Sequence, residues 1–234
     1  MGDSTQRRRR PAGEALLLLA LAALLCTSCS RDIPNPFASF DTRCASLPPA
    51  RYEVVEVPLE YKESDNLGIA ELTAKSGSAL ARHRTHGLTT AAFGQQTQTD
   101  LRLIEQRASA RACASPQVTV EVSMQPVVVY VASELASDRC QHDVTREHEL
   151  RHVEVDREVL DQTARRLREE IGPAMAPVIL KGPSGAAVAQ QYEAALRDYL
   201  ARFMREQRLV LAQRQAAIDS VEEYARVASA CRSE

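Results

Sequence analysis

The chain has 234 residues, of which 44% are hydrophobic and 26% are charged, and its formal net charge is −2 at pH 7. A chain of this length can bury the core of one sizeable domain. The weakly acidic balance, with four Phe, six Tyr and no Trp, lacks the basic face and the stacking aromatic residues of a nucleic-acid-binding surface. We therefore expect no nucleic-acid partner.

Residues 1–28 have the pattern of a lipoprotein-type signal peptide. Four arginines, "RRRR" at 7–10, precede the apolar run "ALLLLALAALL" at 15–25. This run is shorter than the roughly 20 apolar residues that cross a membrane, and it suits the hydrophobic region of a signal peptide. The following "LCTSC" resembles a bacterial lipobox, which predicts cleavage after Ser28 and a lipid on Cys29. A freely secreted protein is the alternative.

These features predict a location in the bacterial cell envelope. The lipid would anchor the protein to the outer membrane on its periplasmic side, whereas the alternative leaves it periplasmic or secreted. Residues 29–50 are rich in Pro and Ser and show no periodicity, which predicts a flexible tether. Residues 51–234 are then expected to form a single domain.

The first part of this domain, residues 51–140, is predicted to be mainly β. "YEVVEVPLEY" and "GLTTAAFGQQTQTDLRLIEQ" favour strands, and "GIAELTAKSGSALARH" favours a short helix. The clearest strand patterns are "QVTVEVSM" at 117–124 and "PVVVYVAS" at 126–133. We expect these two strands to form a hairpin that turns at Met124, Gln125 and Pro126.

The cysteines predict two disulfide bonds. Without the signal peptide and Cys29, four cysteines remain, and an even number suits an oxidising compartment. The predicted hairpin would bring Cys113 and Cys140 close together, which leaves Cys44 and Cys231 as the second pair. Four cysteines allow three connectivities, so this pairing depends on the hairpin alone.

Residues 141–234 are predicted to be helical. A first long helix ends at Gly172 and Pro173, because apolar residues recur at three- and four-residue spacing in Leu150, Val153, Leu160, Ala164, Leu167 and Ile171. A second long helix is expected from about Ala186 to Ala217, with Ser184 as a candidate N-cap, and "VEEYARVASAC" forms a short last helix. The predicted fold class is α+β, a small antiparallel sheet followed by a long helical hairpin.

The segment "HELRH" at 148–152 carries the strongest functional signal. Residues four apart lie on the same face of a helix, so His148 and His152 can both direct a ring nitrogen at one Zn²⁺. Glu149 is offset by about 100° and can reach a water molecule on the ion, whose proton it would take as general base. This is the HExxH pattern of zinc hydrolases.

The alternative is a solvated amphipathic helix whose histidines bind nothing, and the charged Arg151 inside the motif favours it. Against this alternative, the two histidines share one face of the helix with Val144, Val155 and Val159. Solvated histidines would lie among charged residues instead. We therefore expect a metal site.

A third metal ligand must come from another helix. If the two long helices form an antiparallel hairpin, counting from the connecting loop places Glu206 beside His152. Glu206 also interrupts an apolar stripe, so its carboxylate needs a partner, either the metal or one of the nearby arginines. Weaker candidates are Asp219, Glu193 and the loop histidines His83 and His86.

The order of cysteine, β-hairpin, HELRH and long helix resembles the zincin-type (HExxH) zinc metallopeptidases, specifically a group of small exported bacterial proteins with this layout. The resemblance extends from "GIAELTAKSG" through "CASPQVTVEV" and "HELRHVEV" to "AAIDSVEEYARVASAC". It implies zinc ligands at His148 and His152, a catalytic base at Glu149 and a place in the envelope. It implies no particular substrate.

Two functions follow as hypotheses. The first is an exported, lipid-anchored zinc-dependent metallopeptidase that hydrolyses peptide bonds in the cell envelope, so that its partner is a peptide or protein substrate. The second is a non-catalytic envelope lipoprotein with a structural or vestigial metal site, which binds a partner through its helical hairpin.

Overall fold

The computed structural model describes residues 38–77, 84–177 and 179–231. The described chain mixes helices and strands, as the sequence predicts. In chain order its elements are α1 (Phe40–Ala45), β1 (Arg51–Glu56), β2 (Tyr61–Ser64), α2 (Ile69–Lys75), β3 (Gly87–Gln106), β4 (Arg111–Val131), α3 (Arg139–Ala174), β5 (Leu180–Gly182), α4 (Gly185–Ile218) and α5 (Val221–Ser229).

Strand β4 is the centre of a five-stranded sheet. Strand β3 pairs with it antiparallel from one end to the other. Along the opposite edge of β4 lie β5, which is antiparallel, and then β1 and β2, which are both parallel to it. The sheet is therefore mixed rather than antiparallel. Strands β1 and β2 can be parallel to β4 because α2 and β3 lie between them and β4 in the chain.

The predicted hairpin at Met124, Gln125 and Pro126 is wrong, because both of its strands belong to the single strand β4. Met124 pairs with Phe93 and Val127 pairs with Ala91, so two residues of β4 lie opposite one residue of β3. This β-bulge leaves the ladder unpaired at the proline, which has no N–H to donate.

The bulge also keeps one face of β4 apolar along its whole length. The buried residues are Val118, Val120, Val122 and Met124 before it and Val127, Val129 and Val131 after it. Side chains alternate between the two faces of a strand, so an uninterrupted strand would direct the second group to the opposite face. The extra residue therefore returns the later valines to the core.

The predicted disulfide pairing is also wrong. The structure joins Cys44 to Cys113 and Cys140 to Cys231. Because β4 is one strand of 21 residues, it separates Cys113, near its start, from Cys140, which lies beyond its end in α3. The hairpin that would have brought these two cysteines together does not exist.

Helices α3 and α4 cover the apolar face of the sheet. They run antiparallel, since Arg214 of α4 bonds to Glu158 of α3 at 3.2 Å while Glu206 bonds to Arg166 at 3.3 Å. Ser184 caps α4 as predicted, because its hydroxyl accepts a hydrogen bond from the Ala187 N–H. The two helices bury Val153, Leu160, Leu167, Ile171, Tyr192, Leu196, Leu200 and Phe203 against β4.

The compact unit begins before the predicted domain boundary. Phe40–Glu234 form one compact unit, and helix α1 lies inside the segment that was expected to be a tether. Phe40 and Cys44 are buried beside Cys113, so a disulfide bond and apolar contacts hold this segment against β4. The predicted signal peptide and the lipid site Cys29 lie outside the described residues.

Within the described ranges, none of the helices is both long enough and apolar enough to cross a lipid bilayer.

Truncating one leucine tests where the core lies. Leu167 is fully buried between α3 and the sheet, whereas Leu209 of α4 is 65% exposed. We expect Leu167→Ala to lower the free energy of unfolding by about 2–5 kcal/mol, because it leaves a cavity. The control Leu209→Ala should change it by less than about 0.5 kcal/mol. Denaturant titration measures both, and equal effects would contradict this core.

Candidate metal centre

Three parts of the chain meet at the HELRH segment. Helix α3 carries His148, Glu149 and His152, and its N-terminus is capped by the Asp138 side chain, which accepts from the Gln141 N–H. Asp219 directly follows α4. Helix α5 then begins at a serine N-cap and turns its first residues toward α3, where α3 and α5 are in contact.

The ring nitrogens of both histidines and one carboxylate oxygen converge on one point. Asp219 Oδ1 lies 3.1 Å from His148 Nε2 and 3.2 Å from His152 Nε2, and the two nitrogens are 3.3 Å apart. Three ligands of a tetrahedral zinc ion, each at about 2.0–2.1 Å, are separated by about 3.3–3.4 Å. The group His148, His152 and Asp219 could therefore hold a metal ion with little rearrangement.

His148 is oriented by an acidic partner from α5. Its other ring nitrogen, Nδ1, lies 3.2 Å from Glu223 Oε1. A carboxylate can only accept from a ring N–H, so Glu223 can hold a proton on Nδ1 when a cation takes the lone pair of Nε2. Metal-binding histidines commonly have such a partner on the nitrogen that does not face the ion. The Arg151 guanidinium lies 3.1 Å from the same Nδ1.

The charged residue inside the motif belongs to the same network. Arg151 contacts Glu223 Oε1, and Arg226 bonds to both oxygens of that carboxylate at 2.8 and 2.9 Å. Two guanidinium groups thus compensate a carboxylate whose side chain is only 13% exposed. Arg151 was the main argument for a solvated helix, and its contact with Glu223 instead connects it to the histidine pair.

The contacts among these groups alter two pKa values. Burial alone would raise the pKa of Asp219, but the hydrogen bonds from His148 and His152 outweigh it and hold this pKa well below its ordinary value. Burial would lower the pKa of His152, yet its bonds to Asp219 and Gln215 raise it. An anionic oxygen thus lies beside the His152 imidazole, which takes up a proton readily, and a cation can replace that proton.

Glu149 lies in the same buried environment. It is 5% exposed, and its Oε2 accepts a hydrogen bond from the Thr89 hydroxyl at 2.9 Å. The absence of a side chain at Gly87 makes room for it, since a Cβ there would lie 2.6 Å from Glu149 Oε1. Burial raises the pKa of Glu149, partly offset by the nearby His152.

These groups line a cavity of about 780 Å³. One wall is the start of β3, from Gly87 to Ala91, and another is α5 with Tyr224. The Tyr224 hydroxyl bonds to Asp219, and its ring centroid lies 5.9 Å from that of His148. The cavity therefore combines the proposed ligand atoms, a carboxyl group and an extended strand.

The predicted third ligand, Glu206, lies elsewhere. Its side chain is 59% exposed and forms an ion pair with Arg166 at 3.3 Å, which is the alternative that the sequence left open. Arg166 is about two turns before the end of α3, but Glu206 is about six turns into α4. Glu206 would lie beside His152 only if the end of α3 were level with the start of α4. The connection between these helices instead extends past α3 and forms β5, so the two helices are offset.

The weaker candidates for the third metal ligand lie in different places. Asp219 is in the ligand group, and His86 lines the cavity without belonging to that group. Glu193 is exposed on α4, and His83 lies outside the described residues. Sequence reasoning missed Gln215, Glu223 and Tyr224. A disulfide pairing of Cys140 with Cys231 would have indicated the last two, because it brings α5 to the start of α3.

Comparisons of the chain with protein-family models, with curated proteins and with solved structures find no match.

The Cys140–Cys231 disulfide should control metal affinity, because no residue of α5 is buried and this bond adds to the polar contacts that hold the helix against α3. We expect serine at both positions to weaken zinc binding by about 10-fold or more, since Glu223 would no longer orient His148. The control replaces Cys44 and Cys113 with serine.

Both double variants should lose stability, by about 2–4 kcal/mol, but only the first should lose zinc affinity. Thermal unfolding and zinc titration measure the two effects. Equal zinc affinities in the two variants would contradict the proposed role of α5.

Proposed function

We propose that the protein is an exported, lipid-anchored zinc-dependent metallopeptidase of the zincin type, which hydrolyses peptide bonds in the cell envelope. The observation that carries this proposal is the convergence of His148 Nε2, His152 Nε2 and Asp219 Oδ1 within 3.3 Å of one another. Glu149 lies in the same cavity. A histidine pair, an acidic ligand and a buried carboxyl group are the parts that hydrolysis at a zinc ion needs.

The donor set suits zinc better than a hard cation. Two imidazole nitrogens and one carboxylate oxygen are ligands that Zn²⁺ accepts, whereas Mg²⁺ and Ca²⁺ prefer sites made of oxygen alone. Three protein ligands leave a fourth position for water or substrate, as in catalytic zinc sites. Bound there, zinc would supply the Lewis acidity that activates water and polarises a substrate carbonyl.

Glu149 is the proposed general base. A base is most effective when its pKa lies near the working pH, and burial moves the pKa of Glu149 upward from its ordinary acidic value. The Thr89 hydroxyl holds one carboxylate oxygen, so the proton of the attacking water would go to the other oxygen. Glu149 would then pass this proton to the leaving amine.

Strand β3 supports a peptide as the substrate. In the described part of the chain it pairs with β4 alone, so its second edge has no strand partner there. Gly87, Leu88, Thr89 and Ala91 line the cavity that Glu149 also lines. An extended peptide could pair with this edge through main-chain hydrogen bonds, and its carbonyl group would then lie near the histidine pair.

Two features support the proposed location. Both disulfides join distant parts of the chain, and such bonds persist in oxidising compartments such as the periplasm. The arginine-rich start, the short apolar run and "LCTSC" supply the export signal and the lipid acceptor Cys29. The lipid is the proposed link to the membrane.

A second candidate function is a structural metal clip in a non-catalytic envelope protein. The observation that favours it is the exposed character of α5, which buries no residue of its own. A cation held by α3 and Asp219 would fasten this helix. The ligand group would then stabilise the fold rather than take part in catalysis. The role of Glu149 distinguishes the two functions.

Zinc content is the first test. Purified protein exposed to zinc and then dialysed should retain about one ion per chain, and His148→Ala should retain almost none because a ligand is lost. His142→Ala is the matched control on the same helix, since His142 lies outside the ligand group and should leave zinc content unchanged. Zinc-free wild-type protein, measured by elemental analysis, would refute both functions.

Loss of the base is the second test. Glu149→Gln should lower the rate of peptide cleavage by about 10²–10⁴-fold without loss of zinc, because the amide cannot accept the proton. The exposed Glu147, two residues earlier, provides the control Glu147→Gln. Cleavage of a mixture of unstructured peptides is followed by mass spectrometry. If zinc-loaded wild-type protein cleaves peptides no better than Glu149→Gln, the metallopeptidase function is refuted and the structural metal clip remains.

A further inference from the structure

We infer that Gln215 and Asp156 are positioning residues that make Nε2 of His152 the atom available to a cation. The inference rests on the proposed metal site, but it concerns the protein's own hydrogen bonds. Gln215 is in the last turn of α4, and Asp156 lies one turn after His152 on α3. Together with His152 they form a chain of three side chains beside the ligand group.

The orientation of the Gln215 amide is determined by its partners. Its Nε2 donates to Asp156 Oδ1 at 2.7 Å and to the main-chain oxygen of His152 at 3.2 Å. A main-chain carbonyl only accepts, and a carboxyl oxygen accepts unless it carries the proton itself. The NH₂ group must therefore face these two oxygens, which leaves Oε1 of the amide facing His152.

This orientation selects one protonation form of the histidine. Gln215 Oε1 contacts His152 Nδ1, and an amide oxygen can only accept, so Nδ1 must be the donor. A neutral imidazole carries one proton, and its other nitrogen is then an acceptor. That nitrogen, Nε2, lies 3.2 Å from Asp219 Oδ1 and 3.3 Å from His148 Nε2. A proton on Nε2 can bond to Asp219, and a cation at the shared point would replace that proton while Gln215 keeps the proton on Nδ1.

Asp156 is the last side chain of this hydrogen-bonded chain of His152, Gln215 and Asp156, which we call the relay. It is 2% exposed, and among the described residues its Oδ2 atom has no hydrogen-bond partner. Burying a carboxyl group in this way is unfavourable. Asp156 holds the Gln215 amide in its orientation, because Oδ1 accepts from the amide whether or not Oδ2 carries a proton.

Substitutions at Gln215 separate this role from simple packing. Gln215→Met keeps the volume but removes the acceptor, and we expect zinc affinity to fall by about 10–100-fold. Gln215→Glu keeps an oxygen for the Nδ1 proton but can no longer donate to Asp156, so it should retain more zinc affinity than Gln215→Met. Gln213→Met, at an exposed glutamine on the same helix, is the matched control and should bind zinc normally.

Asp156 offers a second matched pair. Asp156→Asn retains a carbonyl oxygen for Gln215 and should retain zinc affinity, whereas Asp156→Leu has no acceptor and should lose part of it. Thermal unfolding of the chelator-treated variants reports whether each one is folded. If Gln215→Met and Gln213→Met bind zinc equally well, or if the Asn and Leu variants behave alike, the relay is refuted.

A measurement without metal completes the test. Nitrogen chemical shifts of the imidazole ring report which nitrogen carries the proton. They are recorded in chelator, at a pH where the histidines are neutral, in Asp219→Ala, because this substitution removes the acceptor that competes at Nε2. We expect His152 to be protonated at Nδ1 in this variant and to lose this preference when Gln215→Met is added. Protonation at Nε2 in Asp219→Ala alone would overturn the inference. Failure of the wild type to bind zinc would refute the proposed function, while the relay would still be judged by these shifts.

Discussion

The close approach of two imidazole nitrogens to one carboxylate oxygen is the interaction on which the candidate site depends. His148, His152 and Asp219 come from two separate parts of the chain, and each of the three atoms lies within 3.3 Å of the other two. Without a cation or a shared proton, two nitrogen lone pairs and an anionic oxygen at this distance would repel one another. A positive charge at the centre of the three atoms, from a cation or from a proton, would remove this repulsion.

Strand β4 is the frame that makes this approach possible. Its bulge at Gln125 and Pro126 keeps one apolar face along 21 residues, and α3 and α4 both pack on that face. Helix α3 is thereby fixed beside the start of β3, where Gly87 and Thr89 contact Glu149. The proposed base and ligands thus take their positions from the same core that stabilises the domain.

The helices and the HELRH face could be predicted because their signals are local. The apolar spacing in α3 and the N-cap at Ser184 each involve residues within a few turns. The errors involve distant residues. Pro126 resembles a turn until Ala91 and Phe93 pair around it, and the disulfide error followed from that turn. Asp219 could not be preferred over Glu206, because the offset of α4 depends on β5 pairing with β4.

The separation of the donor atoms along the chain also determines when the site can exist. Asp219 is synthesised 71 residues after His148, and the helix that follows it carries the glutamate that orients this histidine. A nascent chain that already contains HELRH therefore lacks Asp219 until translation has passed α4. Incomplete translation products would bear the histidine pair without Asp219. The group of three proposed ligands can thus form only late in biosynthesis.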